Sequence, residues 1–246
     1  MRSTMLAAAI LLSAALPAAA QPATAPSDAA QPAPAAGPAS EGLPGMDQLM
    51  KYVAKPEYFT VVSTLALNGE HDLTPDCKAK ALGRSGLTVL TLPLFEAGKE
   101  APVFGRWKDQ VLVDRCGSQV VHNVLVEAAA DGLHVGLLMP GETGAPVAMQ
   151  PGVVQDVARV ILKSSGCKDP NTFVVLDTRK DKLLAPMNAD DQGRLIAGKW
   201  DEVWTTRACG KVHAVLVTFA ADGKGSATYS AKPTVAKPKP PVAKPK

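Results

Sequence analysis

The chain has 246 residues, and its formal net charge of +3 arises from 26 basic and 23 acidic side chains. Without Arg2 and the five lysines from Lys232 onward, 20 basic residues remain against 23 acidic ones, so the part between the two ends is near neutral. This balance excludes an argument for nucleic-acid binding from overall basicity. Aromatic residues make up only 4% of the chain, so each tryptophan is informative.

Residues 1–20 are typical of a secretory signal peptide. Arg2 gives a positive start, an apolar stretch follows from Leu6 to Leu16, and Ala18 to Ala20 are the small residues that a signal peptidase requires. The apolar stretch of about eleven residues is shorter than the roughly twenty that span a bilayer, so we expect cleavage before Gln21. The sequence therefore predicts a periplasmic or secreted protein without a transmembrane segment in the mature chain.

Two segments of low complexity flank the central part. Residues 21–44 are almost entirely Ala, Pro, Ser, Thr, Gln and Gly, a composition that offers little to bury and predicts a disordered spacer. Residues 231–246 alternate Lys and Pro and predict an extended, disordered tail. This tail is a candidate contact for anionic envelope components, and a spacing role without a partner fits the same composition.

The central part contains an internal repeat. Gly105-Arg106-Trp107 is followed nine residues after the tryptophan by Cys116-Gly117, and Gly198-Lys199-Trp200 is followed at the same spacing by Cys209-Gly210. In both copies an acid lies two residues after the tryptophan, and a His-x-Val-x-Val pattern and an Ala-Asp-Gly turn follow the cysteine. Shared anchors in one order predict a duplicated unit.

In the first unit, residues 45–142, the sequence does not decide which segment forms the helix. Residues 46–53 and 58–67 compete for it, and the second segment has β-branched residues that also suit a strand. Strands are expected over residues 87–92, 105–114, 119–127 and 133–138.

The second unit, residues 143–230, has the clearer pattern. Apolar residues at helical spacing predict a helix over residues 151–164. Strands are expected over residues 172–178, 195–209, 211–220 and 226–230. Each unit is therefore predicted to be a helix followed by a mostly antiparallel meander of three to four strands, an α+β class. Whether the two units form one sheet or two domains stays open.

The cysteines predict disulfides, because an exported chain meets an oxidising compartment. Of the three pairings that four cysteines allow, a duplicated unit that closes on itself selects Cys77–Cys116 and Cys167–Cys209. Loops of about 40 residues closed in this way are stabilised by about 4 kcal/mol in the loop-entropy estimate. A redox or metal role is disfavoured, because the spacings match neither C-x-x-C nor zinc patterns.

Matching histidines and acids are the candidates for chemistry. His122 and His213 each begin an alternating apolar face and are either a general base or ligand, or half-buried strand residues that bind a nearby acid or carbonyl. Simple alternation places Asp109 and Glu202 on the tryptophan-bearing face of their strands. They are either an acid/base pair or, as we expect, solvated strand acids. The sequence therefore assigns no catalytic residue, metal ligand or cofactor.

The three tryptophans are candidate binding residues as well as candidate core residues. Trp200 and Trp204 lie four residues apart on one strand face, where they would make a stacking platform for a sugar or peptide. A core position for them and for Trp107 is the favoured interpretation, since a buried Trp contributes a large apolar area. Trp204 is the better candidate for exposure because its counterpart is the aliphatic Val111.

The pattern G-x-W-x-[DE], then C-G, V-x-V and A-D-G, resembles small exported proteobacterial proteins to which no activity is assigned. The resemblance is best over residues 198–229, covers residues 105–132 less well, and implies an exported α+β module with disulfides. It implies no functional site.

Three functions fit the sequence. The preferred hypothesis is a non-enzymatic periplasmic or envelope protein that binds or assembles, with an unknown ligand or protein partner. The alternative is a periplasmic hydrolase-like enzyme that uses His122 or His213 with a nearby acid. A third hypothesis is a protein whose partner is a second copy of itself.

Overall fold

A computed structural model describes residues 45–190 and 194–234. The predicted signal peptide, the spacer and the tail from residue 235 onward lie outside the described residues. In chain order the elements are α1 (Met46–Val53), α2 (Pro56–Leu73), β1 (Lys80–Leu94), β2 (Phe104–Arg115), β3 (Ser118–Ala129), β4 (Gly132–Leu137), α3 (Gln150–Ser165), β5 (Val174–Ala189), β6 (Leu195–Ala208), β7 (Lys211–Ala221) and β8 (Ala227–Thr234). Short 3₁₀ turns precede α3 and β5.

The strands form two antiparallel sheets of four, in the orders β1-β2-β3-β4 and β5-β6-β7-β8. Each sheet is a meander of consecutive strands, and each follows helical structure in the chain. The predicted α+β class of two tandem units is therefore confirmed, with two sheets rather than one. No helix among the described residues is long and apolar enough to cross a membrane.

Local sequence patterns were sufficient to predict one of the helices and left the helix of the first unit undecided. The expected helix over residues 151–164 is α3, with Pro151 in its first turn and Gly166 directly after its last residue. The two segments that compete for the helix of the first unit, residues 46–53 and 58–67, are both helical. The strand alternative for residues 58–67 is wrong, because the buried side chains recur at helical spacing: Tyr58, Val62, Ala66 and Glu70.

The first strand of each sheet is much longer than expected. β1 spans 15 residues and β5 spans 16, where only 87–92 and 172–178 were expected. Both lie at a sheet edge and both contain register shifts, so glycines and a charged run are tolerated where they would break a central strand. β8 also continues to Thr234, so the predicted tail does not begin at residue 231.

Each half has its own hydrophobic core around buried tryptophan. In the first half α1 and α2 pack on the face of the sheet that carries Trp107 and Val111. In the second half α3 packs on the face that carries Trp200, Trp204 and Phe219. The Trp200 and Phe219 rings stack with their centroids 5.1 Å apart. Burial on one face of each sheet explains the alternating pattern in the sequence.

The hairpins β2–β3 and β6–β7 turn at the same residues in both halves, Cys116-Gly117 and Cys209-Gly210. The cysteines have φ of 48° and 46°, a left-handed conformation that two-residue hairpin turns require and that residues other than glycine rarely adopt. From these turns the predicted disulfides Cys77–Cys116 and Cys167–Cys209 are formed, and both are confirmed. Each one ties the segment after a helix to the end of the tryptophan strand.

The two halves contact each other through the segment that joins β4 to α3. Thr178 Oγ1 donates to the Pro140 carbonyl at 2.7 Å, and the Glu142 amide donates to the Thr178 carbonyl at 2.6 Å. A Cβ atom on Gly141 would lie 2.1 Å from the Thr178 carbonyl oxygen, so only glycine fits there. The described residues of both halves belong to a single compact unit.

Candidate functional site

Asp109 and Glu202 are fully buried, each on the tryptophan face of its strand. The expectation from alternation is confirmed, whereas the expectation that these acids are solvated is wrong. An isolated carboxylate in such an environment costs several kcal/mol, so each must be compensated by partners. The partners determine what each acid can do chemically.

Asp109 is compensated by a cation. Arg84 Nε on β1 lies 2.8 and 3.0 Å from the two carboxylate oxygens, and its Nη2 donates to the Val53 carbonyl at the end of α1 at 2.8 Å. The Trp107 indole donates to the Tyr58 hydroxyl at 2.8 Å. Burial, and then the charge of Asp109, raise the pKa of Tyr58, which keeps this hydroxyl protonated. The arrangement fastens α1, β1 and β2 together.

Glu202 is compensated by neutral donors alone among the described residues. Its carboxylate accepts two indole hydrogen bonds, from Trp200 Nε1 at 2.8 Å and Trp204 Nε1 at 2.9 Å. Two more come from the segment before α3, from Thr143 Oγ1 at 2.8 Å and the Gly144 amide at 2.6 Å. Four donors occupy both oxygens, so this carboxylate has little capacity to accept a substrate proton.

The predicted stacking platform does not exist at the surface. Trp107, Trp200 and Trp204 are between 0 and 2% exposed. The expectation that Trp204 is the more exposed is wrong, because its indole is drawn inward to hydrogen bond with Glu202. The core interpretation therefore describes all three side chains.

A third buried acid, Glu70 on α2, organises a network that sequence reasoning missed. It accepts from Arg115 Nε at 2.6 Å and Arg115 Nη2 at 2.7 Å, from His122 Nε2 at 2.7 Å, and from the Thr74 hydroxyl. Burial alone would raise the pKa of Glu70, but the hydrogen bonds from His122, Arg115 and Thr74 lower it to about 2. The available signal was its place on the apolar stripe of α2, four residues after Ala66.

The network of Glu70 reaches the second half. Arg115 Nη2 also donates to the Leu176 carbonyl on β5 at 3.1 Å. The guanidinium therefore links α2 of the first half to β5 of the second half. This geometry is typical of a structural arginine with a bidentate carboxylate partner.

The matching histidines have different surroundings. His122 is buried and meets an acid, as one of the two interpretations of the sequence required. His213 is partly buried, and its Nε2 has no hydrogen-bond partner among the described residues. The two halves therefore do not contain a pair of equivalent catalytic histidines.

A cavity of about 230 Å³ lies beside His122. Its lining is apolar apart from this ring and one carboxylate, and consists of Gly69, Asp72, Leu73, His122, Leu137, Leu138 and Pro140. Within the described residues no group of three or more His, Cys, Asp or Glu side chains is arranged to hold a metal ion. The lining contains no Ser, Thr or Cys that could act as a nucleophile.

Comparison of the chain with protein-family models, curated proteins and solved structures found no match. The geometry of the described residues is therefore the basis of the functional interpretation.

Proposed function

We propose that the chain is an exported envelope protein that binds or assembles and does not catalyse a reaction. Two disulfides fit an oxidising compartment, and residues 1–20 have the features of a signal peptide. The resemblance to exported proteobacterial proteins supports the same compartment. Anionic envelope components and a protein partner are the classes of ligand that we propose.

One observation carries this proposal: the three acids that could carry chemistry are buried and paired, while apolar side chains are exposed. Asp109, Glu202 and Glu70 are occupied in contacts that join elements of the fold. At the same time both sheets expose large apolar residues along their first two strands, a feature typical of interaction surfaces. These residues are Leu82, Leu90, Leu92, Leu94 and Phe104 in the first half, and Leu183, Leu184, Met187 and Ile196 in the second.

The test uses the oxidised mature chain with polar-lipid vesicles and with cell-wall fragments. We expect cosedimentation with at least one of them, weakened in the double variant Leu92→Ser/Leu183→Ser. Val61→Ser on α2, which also removes an exposed apolar side chain, is the matched control and should bind as wild type. A chain that binds neither material contradicts the proposal. If that chain is a dimer in light scattering, self-association replaces it.

The hydrolase-like alternative has one specific observation in its favour. His122 lies within hydrogen-bond reach of the Glu70 carboxylate and lines a cavity, so an oriented imidazole is available there. In this function Glu70, ionised because of its low pKa, would hold the ring in one orientation. Water would have to be the nucleophile, since no hydroxyl or thiol lines the cavity.

A panel of small ester and amide substrates tests this alternative. Turnover that disappears in His122→Gln and persists in His213→Gln would support hydrolysis at the cavity. Equal background rates in wild type and His122→Gln would exclude it for those substrates.

A further inference from the structure

The cavity beside His122 is enclosed by three parts of the chain: the last turn of α2, the strands β3 and β4, and the start of the segment that joins the halves. This segment is fixed along β3. The Leu138 amide donates to the Asn123 carbonyl at 2.9 Å, and the Asn123 side chain donates to the Gly141 carbonyl at 2.8 Å. The Gly141 amide in turn donates to the Val121 carbonyl at 2.7 Å. The walls of the cavity are therefore formed without a ligand, which lowers the cost of binding one.

His122 presents one ring nitrogen to this cavity. Its Nε2 lies 2.7 Å from the Glu70 carboxylate, which Arg115 binds through both oxygens, so Nε2 carries the proton of that hydrogen bond. Nδ1 has no hydrogen-bond partner among the described residues. The side chain is 2% exposed, and Nδ1 is reached through the cavity that the ring lines. In the neutral ring Nδ1 carries a lone pair, so it offers the cavity an acceptor.

Asp72 gives the same cavity a negative charge. It lies on α2 two residues after Glu70, and its side chain is exposed. It forms no ion pair with another described residue. No Lys or Arg lines the cavity. Apart from Asp72 and His122 its lining is apolar and consists of Gly69, Leu73, Leu137, Leu138 and Pro140.

We propose that this cavity binds a small apolar amine in its ammonium form. An ammonium group has three donors and no acceptor, so it can donate to His122 Nδ1 and to Asp72 together. The apolar part of the ligand packs against the leucines and the proline, which remove it from water. A carboxylate ligand is disfavoured, because it would meet the charge of Asp72 and a lone pair without an opposite charge.

The volume of the cavity limits the size of the ligand. At roughly 30 Å³ for each water molecule, about 230 Å³ has room for about eight groups of that size. A linear amine with a six-carbon chain is slightly smaller than this limit. The probes are therefore hexylamine, hexanol and hexanoate, which share one chain and differ in the head group.

The affinities of the three probes for the full mature chain test the charge of the site. At neutral pH and constant ionic strength, we expect hexylamine to bind most tightly. Hexanol should bind about tenfold more weakly, because it loses the charge-assisted contacts, and hexanoate should bind least. Isothermal titration calorimetry measures all three affinities.

Asp72→Asn and the control Asp76→Asn test the position of the site. Asp76 is also exposed, lies four residues further along the chain and does not line the cavity. Asp72→Asn should weaken hexylamine about threefold, as expected for one exposed ion pair, and leave hexanol unchanged. Asp76→Asn should bind all three probes as wild type does.

NMR of the histidine side chains follows His122 in the wild-type protein, because its substitution would also disturb Glu70. Hexylamine should shift the Nδ1 resonance of His122. The resonances of His134 and His213, which do not line the cavity, should stay in place. The spectrum of His122→Gln assigns the signal that moves.

The inference is overturned if hexylamine does not bind, or if hexanoate binds as tightly. It is also overturned if Asp72→Asn and Asp76→Asn bind hexylamine equally, or if the His122 resonance does not move. The amine site lies apart from the exposed apolar strands on which the proposed envelope binding rests. Envelope binding without amine binding would refute this site and leave the proposed function standing, and amine binding without envelope binding would do the reverse.

Discussion

Asp109 and Glu202 occupy matching positions in the two halves, yet the protein compensates their buried charges by different means. Asp109 has the guanidinium of Arg84, an opposite charge from the neighbouring strand. Glu202 has two indoles, a hydroxyl and a backbone amide, all of them neutral. The comparison shows that a buried acid at a fixed place in a fold specifies the need for partners and leaves their chemistry open.

The largest expected effect on stability comes from removing Arg84, the cation that compensates the charge of Asp109. Arg84→Met leaves Asp109 buried without an opposite charge and should lower the free energy of unfolding by about 3 kcal/mol or more. Urea unfolding of the oxidised chain measures this loss. Arg159→Met on α3 is the matched control, because its ion pair with Asp156 is exposed and should contribute less than about 1 kcal/mol. Equal losses in the two variants would remove the distinction between the halves.

Acid should act chiefly through Glu70, which resembles Asp109 in having an arginine partner, Arg115. Its pKa in the folded protein is about 2, against an ordinary value of 4.5. A depressed pKa means that its contribution is complete above about pH 5 and is lost as the pH falls from 4.5 toward 2. The difference is of the order of 3 kcal/mol.

Unfolding free energies measured between pH 6 and pH 2 test this expectation. Glu70→Gln should flatten the decline, whereas Glu57→Gln, an exposed acid in the first turn of α2, should follow wild type. A decline of the same steepness in Glu70→Gln would assign the acid sensitivity to other groups.

A smaller loss is expected when one neutral donor of Glu202 is removed. Thr143→Val deletes one hydrogen bond to the carboxylate and the one that the same hydroxyl accepts from the Ala145 amide, and it should cost about 1.5 kcal/mol, because three donors to the carboxylate remain. Thr60→Val, at an exposed position of α2 where the hydroxyl donates to the Pro56 carbonyl, makes the same substitution without removing a hydrogen bond to a carboxylate. Chemical denaturation of both variants is the measurement. A loss in the free energy of unfolding as large as that of Arg84→Met would contradict the idea that several neutral donors together compensate the charge of Glu202.

The smallest effect is expected at His213. Its Nε2 has no partner among the described residues, so His213→Phe should change the free energy of unfolding by less than about 0.5 kcal/mol. His122→Phe removes one hydrogen bond to a buried carboxylate and should cost about 2 kcal/mol. Thermal unfolding of both variants compares the histidines directly, and equal costs would show that His213 has a partner of similar strength.

The sequence predicted features that depend on residues close together in the chain, and it missed features that depend on residues far apart in the chain. α3, the central strands and both disulfides followed from periodicity and from the repeated spacing around Trp107 and Trp200. The lengths of β1 and β5 did not follow, because an edge strand accepts bulges and charges that look like loops in a sequence.

The partners of the buried acids could not be predicted from the sequence. Nothing near Arg84 in the sequence connects it to Asp109, which is 25 residues away, and Thr143 is 59 residues from Glu202. Glu70 was accessible in principle, since helical spacing from Tyr58 and Ala66 would place it on the buried stripe. That inference required residues 58–67 to be assigned to a helix first. The β-branched residues of this segment also suit a strand, so they obscured the assignment.

The donors to Glu202 also determine where this protein can be divided. Asp109 finds its ionic partner upstream of residue 142, whereas Glu202 depends on Thr143 and Gly144, which precede α3. An excised second half that started at α3 would carry a buried carboxylate with only its two indole donors. An autonomous fragment must therefore begin no later than Thr143, so the peptide that joins the halves is an integral part of the second half.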